Sequence, residues 1–281
     1  MTPRRRSPSP SPSRVARAAI VLGALTTLTP ARAQMRRRFE PTDLELQPPG
    51  TIELDAQVGF TKGETAERVV LPDFEVSVGV TESAQLEVDG AYAVEGRDGA
   101  HFSPDHSAPD NLWISSKLGL VDLRDDDTGR AWGIGAQLGP KVPLSPGARG
   151  AGYEALVLVG RTLPRTHVVL NLGGFVDPGP VDQRHRATAL EGGIDLDLDL
   201  DAASVWSFVA EVGAQRFFSG ERPQAHATAG ITWSATPHLD LSILGLVSLL
   251  AGGDRAALLL GFTADVPLLE AHDAAHAPAA R

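Results

Sequence analysis

The sequence predicts an all-β fold, an antiparallel up-and-down transmembrane β-barrel of about twelve strands. Three observations predict it. Apolar and polar residues alternate with period two in twelve blocks of roughly ten residues. The connections between blocks alternate between long and short. The chain opens with the pattern of an export signal.

The signal comes first. Residues 1–33 carry six arginines and no acid. A basic, Ser/Pro-rich start leads to the apolar run Ala18 to Leu28, and Ala31-Arg32-Ala33 then sets small residues at −3 and −1 of a cut after Ala33. Eleven apolar residues form a helix about 16 Å long, too short for a bilayer core that needs about 20 residues. Cleavage would move the net charge from −10 to about −16, a charge that nucleic acid repels. The expected organisation is a signal peptide over 1–33, an N-terminal periplasmic segment over 34–50, the barrel over 51–266 and a flexible tail over 267–281.

The strands follow in order. In 51–60, Ile52, Leu54, Ala56, Val58 and Phe60 share one face, and Glu53, Asp55 and Gln57 the other. In 73–80, Phe74, Val76, Val78 and Val80 oppose Asp73, Glu75 and Ser77, and in 85–94, Leu86, Val88 and Tyr92 oppose Glu87 and Asp89. The pattern recurs over 111–121, 131–142, 153–162, 167–176, 187–199, 205–216, 224–234, 239–249 and 256–266. Connections such as 61–72, 95–110, 143–152 and 177–186 are long and rich in Gly, Pro and charge. Most of the others, such as 81–84, 163–166 and 235–238, are tight, and 122–130 is the longer exception. Long loops on one side, short turns on the other and an even strand count are the marks of an outer-membrane barrel with its short turns in the periplasm. A soluble β-sandwich also alternates, but strands of about ten residues match a tilted membrane span. Phe60, Tyr92 and Phe175 are expected on the lipid face near one rim, and Trp132, Trp206 and Trp233 near the other.

Composition narrows the function. There is no Cys, which excludes disulfide scaffolds and thiolate metal sites. A mean hydropathy of −0.06 excludes a polytopic helical membrane protein. The polar faces predict a lumen lined by Glu53, Asp55, Asp73, Glu75, Glu87, Asp89, Trp113, Lys117, Gln137, Lys141, Glu191, Asp195, Asp197, Asp199, Glu211 and Asp240. Acids far outnumber bases on this face, so the lumen is expected to be acidic. Trp113 is either an inward ring that stacks on a planar solute or a packing plug.

Short motifs in order along the chain extend this reading: Pro49-Gly50 before Glu53-Leu54; Asp110-Asn111-Leu112 followed by Lys117; Lys141-Val142-Pro143; Asn171-Leu172-Gly173; Glu211 in an apolar strand; and Thr228-Ala229-Gly230-Ile231-Thr232-Trp233 running through Thr236-Pro237 into Leu239-Asp240-Leu241. The ordered set resembles the outer-membrane transporter family described by the meta-pathway of phenol degradation. That resemblance implies a barrel of about twelve strands and passive uptake of small, often aromatic, solutes, with no catalytic residues. The segments Arg36-Arg37-Arg38-Phe39 and the chain after Pro267 depart from it.

No constellation points to an enzyme, metal or cofactor. Asp195, Asp197 and Asp199 alternate along a strand about 6.6–6.8 Å apart, and lack the glycine and distal glutamate of a calcium loop. His101 and His106 lie in the longest loop, His272 and His276 in the tail, and His167, His226 and His238 near strand ends. His238, Asp240 and Ser242 are collinear on one strand and cannot form a triad. Gly133-Ile134-Gly135 lacks the rest of a dinucleotide fingerprint. The expected function is a passive channel or facilitator in the outer membrane, with lipid and small solutes as its partners. A non-transporting structural or adhesive barrel and an outer-membrane hydrolase are the alternatives.

Overall fold

The structure, a computed structural model, describes residues 44–268 apart from 64–65, 98–106, 110, 126–129, 145–147, 181–186 and 220–221. The expected signal peptide, nearly all of the tail, and His101, His106, His272 and His276 lie outside the described residues.

Twelve long strands carry the fold. They are β1 (Thr51–Lys62), β2 (Ala66–Thr81), β3 (Ala84–Arg97), β5 (Leu112–Asp125), β6 (Arg130–Val142), β8 (Gly152–Leu163), β9 (Thr166–Val176), β11 (Thr188–Asp199), β12 (Trp206–Ser219), β13 (Gln224–Thr236), β14 (Leu239–Ser248) and β15 (Ala256–Pro267). Three short strands lie in the connections: β4 (Ser107–Pro109), β7 (Ala148–Arg149) and β10 (Gly179–Pro180). Each long strand pairs antiparallel with its sequence neighbour. The β1–β15 ladder, from Thr51 opposite Pro267 to Lys62 opposite Ala256, joins the ends of the sheet. The result is a closed twelve-stranded barrel with no helix among the described residues. Closure removes the exposed edges that an open sheet would present, and a sandwich has no such ladder.

An even strand count brings the first and last strands to the same rim, here called the terminal rim. The connections 82–83, 164–165 and 237–238 there are two residues long. The opposite loop rim carries the long connections, two of which meet through the β7–β10 pair.

Each strand has an exposed and a buried side, and the buried side faces into the ring. Along β8, Tyr153, Ala155 and Val157 are exposed while Glu154, Leu156 and Leu158 are buried. Apolar side chains dominate the outer surface, up to Leu172 at 65% exposure, and Glu87 inside is 2% exposed. In water this arrangement is inverted, since large contiguous apolar surfaces are rare on soluble proteins. Trp206 and Trp233 stack with centroids 5.8 Å apart, and both, like Trp132, lie exposed on the outer side near the terminal rim. Phe60 is exposed near the loop rim. Phe175 corrects the sequence expectation. It pairs with the inward Glu154 and Ala189, is 3% exposed and meets Phe217 edge-on at 5.9 Å. Its phase along β9, shared with Asn171, points it inward.

Candidate functional site

Strand register arranges the carboxylates on the inner wall. Asp55 on β1 stands opposite Glu75 on β2, which stands opposite Asp89 on β3. Three acids therefore form a lateral row across strands spaced about 4.8 Å apart. One level toward the terminal rim, Glu53, Ser77, Glu87 and Ser115 form the adjacent row. On the far side of the ring, Asp195 on β11 faces Glu211 on β12. Of the sixteen residues expected to line the lumen, Glu87, Asp89, Trp113, Lys117, Gln137 and Asp195 are buried. Glu53, Asp55, Asp73, Glu75, Lys141, Glu191, Asp197, Asp199, Glu211 and Asp240 are half-buried.

Neutral donors surround many of these carboxylates. Glu87 accepts from Gln85 Nε2 at 2.6 Å, from Ser115 Oγ at 2.8 Å and from Gln137 Nε2. Ser77 Oγ donates to Glu75 at 2.6 Å, Asn171 Nδ2 to Asp195 at 2.9 Å, Gln215 Nε2 to Glu191 at 3.2 Å, and Thr263 Oγ1 to Asp55. His226 Nε2 lies 3.2 Å from Glu211 Oε1. Donors of this kind satisfy a carboxylate without cancelling its charge.

Two of the wall's cations are engaged by acids nearer the loop rim. Lys141 Nζ pairs with Glu154 and, at 3.3 Å, with Asp177, and stands 4.7 Å from the Phe175 ring. Arg68 reaches Asp254 at 3.4 Å. Glu154, Asp177, Asp254 and Asp265 were not among the expected lumen acids. Glu154 is the one acid on an inner face that also carries Gly152, Leu156, Leu158, Gly160 and Thr162, so β8 reads as largely apolar on both sides. Asp177 and Asp254 lie in connections, beyond the reach of strand phase. Asp265 shares parity with Thr263, and that signal was available.

The sequence also missed what lies against the wall at the terminal rim. The 34–50 segment, assigned to the periplasmic side, is described from Leu44 onward, and this part packs on the inner face. Gln47 N donates to Gln85 Oε1 at 2.7 Å, and Gln47 Nε2 donates to Glu53 at 2.6 Å. Leu44 packs on the buried cluster of Trp113, Leu156, Leu158 and Val169. Five glycines on four strands leave it room. A Cβ at Gly133 would stand 2.9 Å from Leu44 Cδ1, and one at Gly119 3.0 Å from Leu46 Cδ1; at Gly79 and Gly160 it would overlap Pro48 and Leu44 outright. Gly135 on β6 meets Leu44 as well. Gly50, at φ 80°, then turns the chain into β1, its N–H donating to Gly79 O at 3.0 Å. Trp113 belongs to this packing. It is 4% exposed, and its Nε1 donates to Gly139 O at 3.3 Å.

No family model matches the sequence, and no curated protein matches it. The fold has counterparts among solved structures. An outer membrane channel from Pseudomonas putida F1 superimposes with a TM-score of 0.59, covering 82% of this chain and 100% of that one at 11% identity. The NanC porin gives a TM-score of 0.54 over 75% of this chain and 98% of that one, at 10% identity. At such identities the likeness is one of fold.

Proposed function

We propose that this chain is a passive channel of the Gram-negative outer membrane, exported by the signal at 1–33, whose acidic inner wall favours small cations and neutral solutes over anions. The Asp55–Glu75–Asp89 row is the observation that carries the reading. Like charges directly opposite one another weaken a ladder, so three in a row cost the fold stability. A narrow passage with low-dielectric walls focuses their potential and concentrates counter-ions, and Asp/Glu rings favour cations in other pores. Lys141 and Arg68 are each held by acids of their own, and Lys117, near Glu87, offsets at most one charge of the adjacent row. The resemblance to the phenol-degradation transporters suggests aromatic solutes, and the charge then favours neutral aromatics and amines over aromatic carboxylates. The two solved counterparts, a channel and a porin by name, support a channel role.

Reversal potentials across a planar bilayer under a KCl gradient test this. The wild type is expected to be cation-selective, with a preference that shrinks at molar salt, where the Debye length is about 3 Å. A variant with Glu87→Gln, Asp89→Asn, Asp195→Asn and Asp197→Asn should move the reversal potential toward zero. An anion-selective wild type, or an unchanged variant, overturns the reading. The packing of Leu44 and Leu46 on the inner wall near the terminal rim favours a second reading, a barrel that conducts nothing, and a folded, inserted barrel that stays silent would support it.

A further inference from the structure

Among the described residues, and leaving aside the last two positions at each strand end, the outer face of the barrel carries two charged side chains, Arg161 on β8 and Arg216 on β12. Arg161 is third from the end of β8, at the terminal rim. Directly across the ladder is Trp132, third from the start of β6. The Arg161 guanidinium carbon stands 4.9 Å from the Trp132 ring centroid. No carboxylate of the described residues pairs with Arg161. Arg130, two residues before Trp132, is exposed on the same outer face.

We propose that Arg161, held on the Trp132 ring, binds the headgroup phosphate of an anionic phospholipid in the leaflet at the terminal rim. The inference rests on the membrane-embedded reading given above. A charged side chain facing hydrocarbon is expensive, and the cost falls to near zero only at the interface. Trp132 lies near the same rim as Trp206 and Trp233, and tryptophan favours the headgroup level. Stacking on the indole fixes the plane of the guanidinium. The guanidinium fork of N–H donors can take two phosphate oxygens at once. Among the described residues no carboxylate pairs with Arg161, whereas Arg130 stands opposite Asp125 in the β5–β6 ladder. Phosphatidylcholine carries its own cation and would gain less from Arg161 than phosphatidylglycerol does.

The test uses the full chain in nanodiscs with phosphatidylcholine and phosphatidylglycerol in varied ratio. Retained lipid is counted by native mass spectrometry, all in an Arg216→Gln background so that the outward cation of β12 is silent. Phosphatidylglycerol should be retained over phosphatidylcholine. Arg161→Gln should weaken that preference about tenfold, as loss of a charge-assisted pair does. Arg161→Lys, which keeps the charge and loses the fork, should fall between, and Trp132→Leu should also weaken it. Heat-modifiable gel migration checks that each variant is a folded barrel. An unchanged preference in folded Arg161→Gln overturns the proposal. Displacement of the lipid by millimolar inorganic phosphate also overturns it, in favour of a free-anion site. Failure of the chain to enter bilayers overturns both this and the channel reading, whereas entry without a lipid preference overturns this one alone.

Discussion

Asp201 organises the 200–205 turn through its carboxylate. It accepts from Ala203 N at 2.8 Å, Trp206 N at 2.9 Å and Val205 N at 3.2 Å, and Ser204 takes a left-handed φ of 51° to close the turn. The Val205 N–H, then those of Ala203 and Trp206, with the charge of Arg165, hold the carboxyl below its ordinary range. A depressed folded pKa gives stability that is present above the unfolded value, about 3.9, and is lost as pH falls through the folded one. Amide exchange at Ala203, Val205 and Trp206 should therefore accelerate on acidification below about pH 4, relative to amides in the middle of β12. Asp201→Asn should abolish that acid step. An identical pH profile in wild type and Asp201→Asn would show that other groups control the turn. At this scale the sequence was legible wherever one face was polar, as at Glu53 and Asp55 or Glu87 and Asp89. It was misleading at Phe175, where an expectation about rim aromatics overrode the strand's own parity, which groups Phe175 with Asn171 and Gly173.

The segment from Leu44 to Gly50 is the element that strand logic could not place. It has no period-two pattern, and apart from the Gln47–Glu53 hydrogen bond most of its contacts are with residues about 30 to more than 100 positions away. The clue was the glycines: Gly79, Gly119, Gly133, Gly135 and Gly160 sit on inward positions of β2, β5, β6 and β8, where a strand pays for each missing side chain. They make sense only once a second backbone lies against them. The geometry gives a direct test. Gly160→Val would overlap Leu44, while the outer face of β8 would be untouched. Displacing the segment should raise single-channel conductance severalfold, and Leu44→Ser should raise it less, since it removes packing without a clash. Equal conductance in wild type and a folded Gly160→Val barrel would mean that the segment does not limit the passage.

For the whole molecule, the twelve strands were legible because long antiparallel strands, polar inside and apolar outside, repeat one simple period, and because an even count forces the ends together. The short β4, β7 and β10 were not, since two or three residues carry no period. Closure through Thr51 opposite Pro267 fixes both ends at the rim with the short turns. If the barrel sits in the outer membrane, that rim faces the periplasm and the long connections face outward. A protease site inserted after Gly99, in the β3–β4 connection, should then be cut on intact cells. One inserted at Ser83, in the β2–β3 turn, should be cut only after the membrane is opened. The two sites lie at opposite ends of β3, so the experiment reads the direction of that strand and, through the antiparallel ring, of all the others. Cleavage at Ser83 on intact cells with protection at Gly99 would invert the topology. It would also place the Leu44–Gly50 segment at the outer mouth, where it would meet solutes first rather than last.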